Sequence, residues 1–225
     1  MAFTHVTGTS NSHTGSPLSI TLPGGAPTLG QLVLVGMAST VTTSALTVKD
    51  ANNNVYTVTP NSPSTFQTGA GMVWLAYLLS APSNASATIN ISWTGGGLME
   101  AWIDIFNYTQ TCFFDKDVAA NTGTGSTTIS TPSITPTNSG SLLYATAAAG
   151  GTITHPIKNA TLGVWTGSGG AIVGGDMSEY DLSASSAEAV EFTQTPSSGW
   201  SAMAMAFYLS SAVVVRELSL LGCGT

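Results

Sequence analysis

The chain has 225 residues, a formal net charge of −7 and only 7% charged residues, against roughly 25% in an ordinary globular protein. Its basic residues, Lys49, Lys116, Lys158 and Arg216, are scattered, so no cluster exists to contact phosphates and nucleic-acid binding is excluded. With 43% hydrophobic residues and a positive mean hydropathy the chain is expected to fold, yet no stretch reaches the ~18 uninterrupted apolar residues of a membrane helix, so no membrane partner is expected.

Residues 1–16 are rich in Thr, Ser, Asn and Gly, with Phe3 and Val6 as the large apolar side chains, and read as an N-terminal arm or short edge strand. They carry neither a basic start nor an apolar core, so they are not expected to be a secretory signal. Pro17–Leu22 alternates and ends at Pro23–Gly25, the pattern of a half-buried strand and its turn. Gln31–Ser39, QLVLVGMAS, is continuously apolar and predicts a strand covered on both faces. Ala45–Lys49 and Val55–Thr59 flank Asp50-Ala-Asn-Asn-Asn54, and Asp and Asn tolerate positive φ and bond to their own backbone, so a hairpin is expected there. Met72–Leu79 is a second buried strand.

Ala87–Trp93 and Leu98–Thr109 then form a strand pair. In Leu98–Tyr108 one parity is Met99, Ala101, Ile103 and Ile105, wholly apolar, and the other is Glu100, Trp102, Asp104, Phe106 and Tyr108. A similar unit follows later: Ala187–Thr195, a Pro-Ser-Ser-Gly turn, and Ser201–Leu209. Gly140–Gly150 echoes Gly30–Ser39, and Glu179–Ser183 echoes Ala76–Ser80. Echoes in the same order predict a duplication. Its midpoint is expected in the Thr/Ser/Gly-rich run Asn121–Gly140, read as an extended connector with edge strands because Pro132 and Pro136 each remove a ladder donor. The expected fold class is all-β, a two-sheet antiparallel sandwich of jelly-roll type over 17–211, with repeats at about 17–110 and 125–211 and a C-terminal strand or tail at 212–225.

Chemistry-bearing residues are sparse. His5 and His13 lie in the N-terminal segment and His155 precedes Pro156, and no serine sits in a G-x-S-x-G elbow, so no catalytic residue is assigned. Glu100 and Asp104 lie roughly 13 Å apart along one strand at about 3.3 Å per residue, too far for a retaining glycosidase pair. A pair from different strands, such as Asp104 with Glu191, stays open. Asp50 with Asn52–Asn54, and Asp115 with Asp117, offer oxygen clusters without an EF-hand pattern. A hairpin turn and a charged edge are the better readings, and no metal or cofactor is expected. Cys112 and Cys223 allow at most one disulfide and match no zinc spacing. Of the five tryptophans, Trp74 and Trp102 lie in apolar strands, whereas Trp165 and Trp200 lie beside Gly/Ser turns and are the candidates for glycan stacking.

The order G-x-L-V-L-V, D-x-x-x-N-x-Y-T (Asp50, Asn54, Tyr56, Thr57), W-L-A-Y, A-T-I-N-I-S-W and a strand closing in an aromatic resembles a repeated β-sandwich domain of structural proteins of tailed bacteriophages and prophages. The resemblance covers most of Leu18–Ser210. It implies a non-enzymatic virion component, a capsid decoration (cement) protein, assembled in the host cytoplasm and released by lysis. A carbohydrate-binding module or tail-associated adhesin is the alternative, with glycan as partner. The implied partners are copies of itself, a trimer among the allowed oligomers, and a major capsid or tail protein. Phe3, Val6, Val213, Val214, Val215 and Leu218 are the expected assembly contacts, because they lie outside the repeated unit.

Overall fold

The computed structural model describes residues 2–40, 45–66, 71–154, 163–166 and 175–210, with 66, 123–124, 154, 163–166, 175–179, 181 and 183 described by backbone alone. The described residues form strands and connecting turns, without helix. The first half contains β1 (Phe3–Thr14), β2 (Leu18–Thr21), β3 (Leu32–Ser39), β4 (Leu46–Asp50), β5 (Thr57–Val58), β6 (Ser64–Phe66), β7 (Gly71–Leu78), β8 (Thr88–Trp93) and β9 (Leu98–Tyr108). The second contains β10 (Cys112–Ser130), β11 (Ser141–Ala149), β12 (Thr152–Thr154), β13 (Gly163–Thr166), β14 (Gly175–Ala184) and β15 (Glu191–Leu209).

In the first half, strands β1 to β4 and then β7 to β9 alternate between two antiparallel sheets. One sheet has the order β1-β9-β3-β7-β5, with β6 beside β7, and the other has the order β2-β8-β4. This alternation is the jelly-roll arrangement. The period-two pattern of each sequence decides which side chains face the seam. Met99, Ala101, Ile103 and Ile105 of β9 and Val33, Val35 and Met37 of β3 pack against Leu18, Ile20, Ile89 and Ile91 of the smaller sheet. The opposite parity, Leu32, Leu34, Trp102 and Phe106, faces the second half. β3 is apolar throughout because both its faces are covered, as its sequence predicts.

The second half repeats this plan with fewer breaks. Its sheet runs β10-β15-β11-β14-β13, matching β1-β9-β3-β7 position for position, and β12 pairs with β15 as β4 pairs with β8. Here β10 and β15 run from one layer into the other without a break, whereas β11 and β12 stay separate. β10 and β15 are each 19 residues long, and their pairing shifts register between Thr122 and Thr128, so the far ends fold over. Ile129, Ile153 and Phe192 of that flap close on Ala145, Ala147, Ala202 and Ala204. The alanines keep β11 and β15 thin enough for the flap to approach. Gln194, 1% exposed, fastens the bend, donating from Nε2 to the carbonyls of Ser126 and Ser198 at 2.6 and 2.7 Å and accepting from Gly151 N at 3.1 Å.

The protein is therefore all-β and internally duplicated, two antiparallel sandwiches stacked through their larger sheets. Three expectations need correction. Of the two readings of residues 1–16 the edge strand holds and the arm does not, because Phe3–Thr14 is β1, hydrogen-bonded along β9 from Phe3↔Tyr108 to Thr14↔Leu98. Its Thr/Ser-rich sequence is that of an edge strand with one solvated side. The repeats do not begin at 17 and 125, since each needs its first strand, β1 or the start of β10, to complete the sheet. The junction accordingly falls between Tyr108 and Cys112 and not in Asn121–Gly140, whose first half is the continuation of β10.

Candidate functional site

The densest concentration of polar and aromatic chemistry lies where the two halves meet. Register assigns equivalent positions. On β3 and β9, Leu32 faces Phe106 and Leu34 faces Asp104; on β11 and β15, Leu142 faces Phe207 and Tyr144 faces Met205. On the far side Leu34 faces Tyr77 and Tyr144 faces Tyr180. The first strands agree down to their irregularity. β1 skips Val6 between His5↔Phe106 and Thr7↔Ile105, and β10 skips Asp115 between Phe114↔Phe207 and Lys116↔Ala206.

The ring contacts follow the same equivalence. Tyr77 stacks on Phe114 at 4.9 Å and meets Phe207 edge-on at 5.4 Å. Tyr180 stacks on His5 at 4.8 Å and meets Phe106 edge-on at 5.1 Å. Each half thus gives a tyrosine to the first strand of the other.

One end of this interface is polar. Asp104 is 1% exposed; its Oδ1 accepts from His5 Nε2 at 2.8 Å and its Oδ2 accepts from the Tyr144 hydroxyl at 3.1 Å. A buried carboxylate needs such partners. Burial pushes the Tyr180 phenol above its ordinary pKa, and the Asp104 charge adds to the shift. A second carboxylate clamps the other side of the same interface. Asp117 of β10 accepts from Asn61 N at 2.8 Å and Asn61 Nδ2 at 3.0 Å, and so is not the exposed charged edge expected from sequence.

Asp50, 1% exposed, is a further internal carboxylate, beside the fully buried Glu100. Its Oδ1 accepts from the backbone of Asn52 and Asn54, each at 2.9 Å, and its Oδ2 from Asn54 Nδ2 at 2.7 Å and Ser86 N at 2.8 Å. Four N–H groups converge on its oxygens, which suits an anion holding a hairpin and not a cation ligand. Asn53 supplies the positive φ of the turn, 67°, and Lys49↔Val55 closes it, as the sequence predicts.

The residues singled out from sequence scatter. Phe3 is 3% exposed and lies in the central core, so it is not a surface contact. Val6, 45% exposed, sits outward on the β1 bulge. Val213, Val214, Val215 and Leu218 lie outside the described residues, as do Cys223 and His155. Trp165 is placed by backbone alone, in β13 opposite Ser178. Trp200 is 8% exposed and packs in the core under the flap, which removes it as a stacking platform; the glycines and serines beside it form the bend that covers it. Trp74 and Trp102 are core residues, as expected. Cys112 is a buried free thiol. The outer face of β2-β8-β4 shows a row of Ser19, Thr21, Thr47, Thr88, Asn90 and Ser92, tied across strands by Ser19–Asn90 at 2.7 Å and Thr21–Thr88 at 3.3 Å. No local pattern marks His5, Tyr144 and Tyr180 as a set, although the echo of Ala76–Ser80 in Glu179–Ser183 aligns Tyr77 with Tyr180.

These features define a duplicated jelly-roll sandwich in which Asp50, Asp104 and Asp117 are each held by the chain's own donors. No protein-family model matches the chain, and no curated protein matches its sequence. Among solved structures, the crystal structure of the STIV MCP is similar over 93% of this chain and 100% of that one, with 9% identity and a TM-score of 0.30. A likeness of that size does not establish a shared fold.

Proposed function

We propose that this chain is a non-enzymatic virion structural protein, a capsid decoration subunit that stabilises a shell by contacts with copies of itself and with a major capsid or tail protein. The observation that carries the reading is the stacked pair of jelly rolls with long sheet edges at β1 and β10. The carboxylates of Asp50, Asp104 and Asp117 are each held by the chain's own donors, which supports a structural role for them. A jelly roll occurs in capsid and lectin domains alike, and fold alone does not choose between them. The weight comes from the stacked pair, its bulged edge with Val6 exposed, the apolar run Ala212–Leu221 beyond it, and the sequence resemblance. Sizing of the purified chain tests the reading: oligomers or arrays support it, and a monomer that hydrolyses a polysaccharide overturns it.

The hydroxyl and amide row on the outer face of β2-β8-β4 favours a second reading, a carbohydrate-binding module. A glycan array with no binders overturns that reading.

A further inference from the structure

The contacts between the halves come in reciprocal pairs: Tyr77 on Phe114 and Phe207, Tyr180 on His5 and Phe106. Each half presents the surface that it receives, the property of a self-complementary interface. Stacking alone therefore does not tell a first half from a second half. The polar end does. Asp104 occupies the position of Met205, and Tyr144 the position of Leu34. Between two first halves, Asp104 would face Leu34 and lose the hydroxyl that its Oδ2 accepts from. Between two second halves, Tyr144 would face Met205, with no carboxylate to receive its proton. Both mispairings bury a polar oxygen against an apolar side chain and forfeit the Asp104–Tyr144 hydrogen bond, whereas the pairing of unlike halves makes it at 3.1 Å.

We propose that the interface is a self-association surface whose partner is a complementary half, from the same chain or by exchange from a second copy, and that Asp104 and Tyr144 are its specificity determinants. Specificity of this kind comes from penalties on the wrong partner as much as from contacts with the right one. The link between Tyr108 and Cys112 is short, so the halves of one chain meet first at low concentration. At high concentration a second copy competes, and the polar pair restricts it to reciprocal exchange of unlike halves. Without that pair, like halves also combine, and chains grow into open oligomers.

The test replaces each polar residue by the one at the matching position of the other half, in the full chain: H5F/D104M/Y144L. The wild type and the variant are unfolded in denaturant, refolded over a concentration series, diluted and sized by mass photometry. Dilution disperses assemblies held by surface contacts, whereas exchanged halves persist because they separate only on unfolding. The variant should retain about tenfold more persistent intermolecular species than the wild type at equal concentration. Tyr144→Phe, which keeps the ring and removes the hydroxyl, should show a smaller rise and serves if the triple variant fails to fold. Persistent species equal to wild type, in the triple variant or, where that does not fold, in Tyr144→Phe, overturn the proposal.

Discussion

Tyr77 and Tyr180 hold one position in the two halves. Tyr77 lies opposite Leu34 and Tyr180 opposite Tyr144, and each ring stacks on the first strand of the other half, at 4.9 Å on Phe114 and 4.8 Å on His5. Tyr77→Ala and Tyr180→Ala should therefore cost similar amounts, about 2–4 kcal/mol each, from lost ring area and stacking. Urea denaturation measures both. A large cost at one and none at the other would contradict the reciprocal interface.

Asp50 should be sensitive to acid. Burial raises its pKa, but the Asn54 side chain and the backbone N–H groups of Ser86, Asn54 and Asn52 outweigh that effect and hold the carboxyl below its usual value. A lowered folded pKa means that the carboxylate stabilises above its unfolded value, about 3.9, and that this contribution is lost as pH falls through the folded pKa. Asp50→Ala should cost about 2–3 kcal/mol near neutrality, since it strips several N–H groups of a charged acceptor. The gap from wild type should narrow as the pH falls below about 4. Thermal melts over a pH series check this, and a gap that widens in acid would refute it.

Cys112 is buried, and that burial pushes its thiol up to about 12. The thiolate is the reactive form. In a Cys223→Ser background, Cys112 should react with a disulfide reagent only as fast as the protein unfolds, and its labelling should accelerate in denaturant. Rapid labelling of the native protein would show that the edge beside β10 opens.

Trp200 packs against the flap closed by Phe192 and Ile153. Trp200→Ala should cost about 3–5 kcal/mol. A variant that melts like the wild type but has lost glycan binding would place this side chain on the surface and favour the adhesin reading.

The sequence announced its strands where one periodicity dominated. The apolar run of β3, the Asp50–Asn54 turn and the split parities of β9 all follow from local chemistry. The mixed parity of β9 was the harder case. Two carboxylates, Glu100 and Asp104, share this parity with Trp102 and Phe106, yet both are buried, at 0% and 1% exposure, and Asp104 meets Tyr144 of the second sandwich. That partner lies far along the chain, and no local pattern reports it. The same reason explains the misplaced junction: the polar sequences of β1 and of Asn121–Ser130 within β10 read as an edge segment and a connector until the strand beside each is known. The glycine and serine neighbours that make Trp200 a candidate for glycan stacking lie at a bend, and the side chain packs in the core beneath the flap.

The most direct measurement of the central claim, that this duplicated jelly roll is a building block of a shell, is mass photometry with negative-stain imaging of the full chain beside a chain ending at Ser210. The account predicts a closed oligomer or an extended array for the full chain, and a folded, less assembled shorter chain. A full chain that stays monomeric at every concentration, and gains nothing over the shorter one, would contradict it.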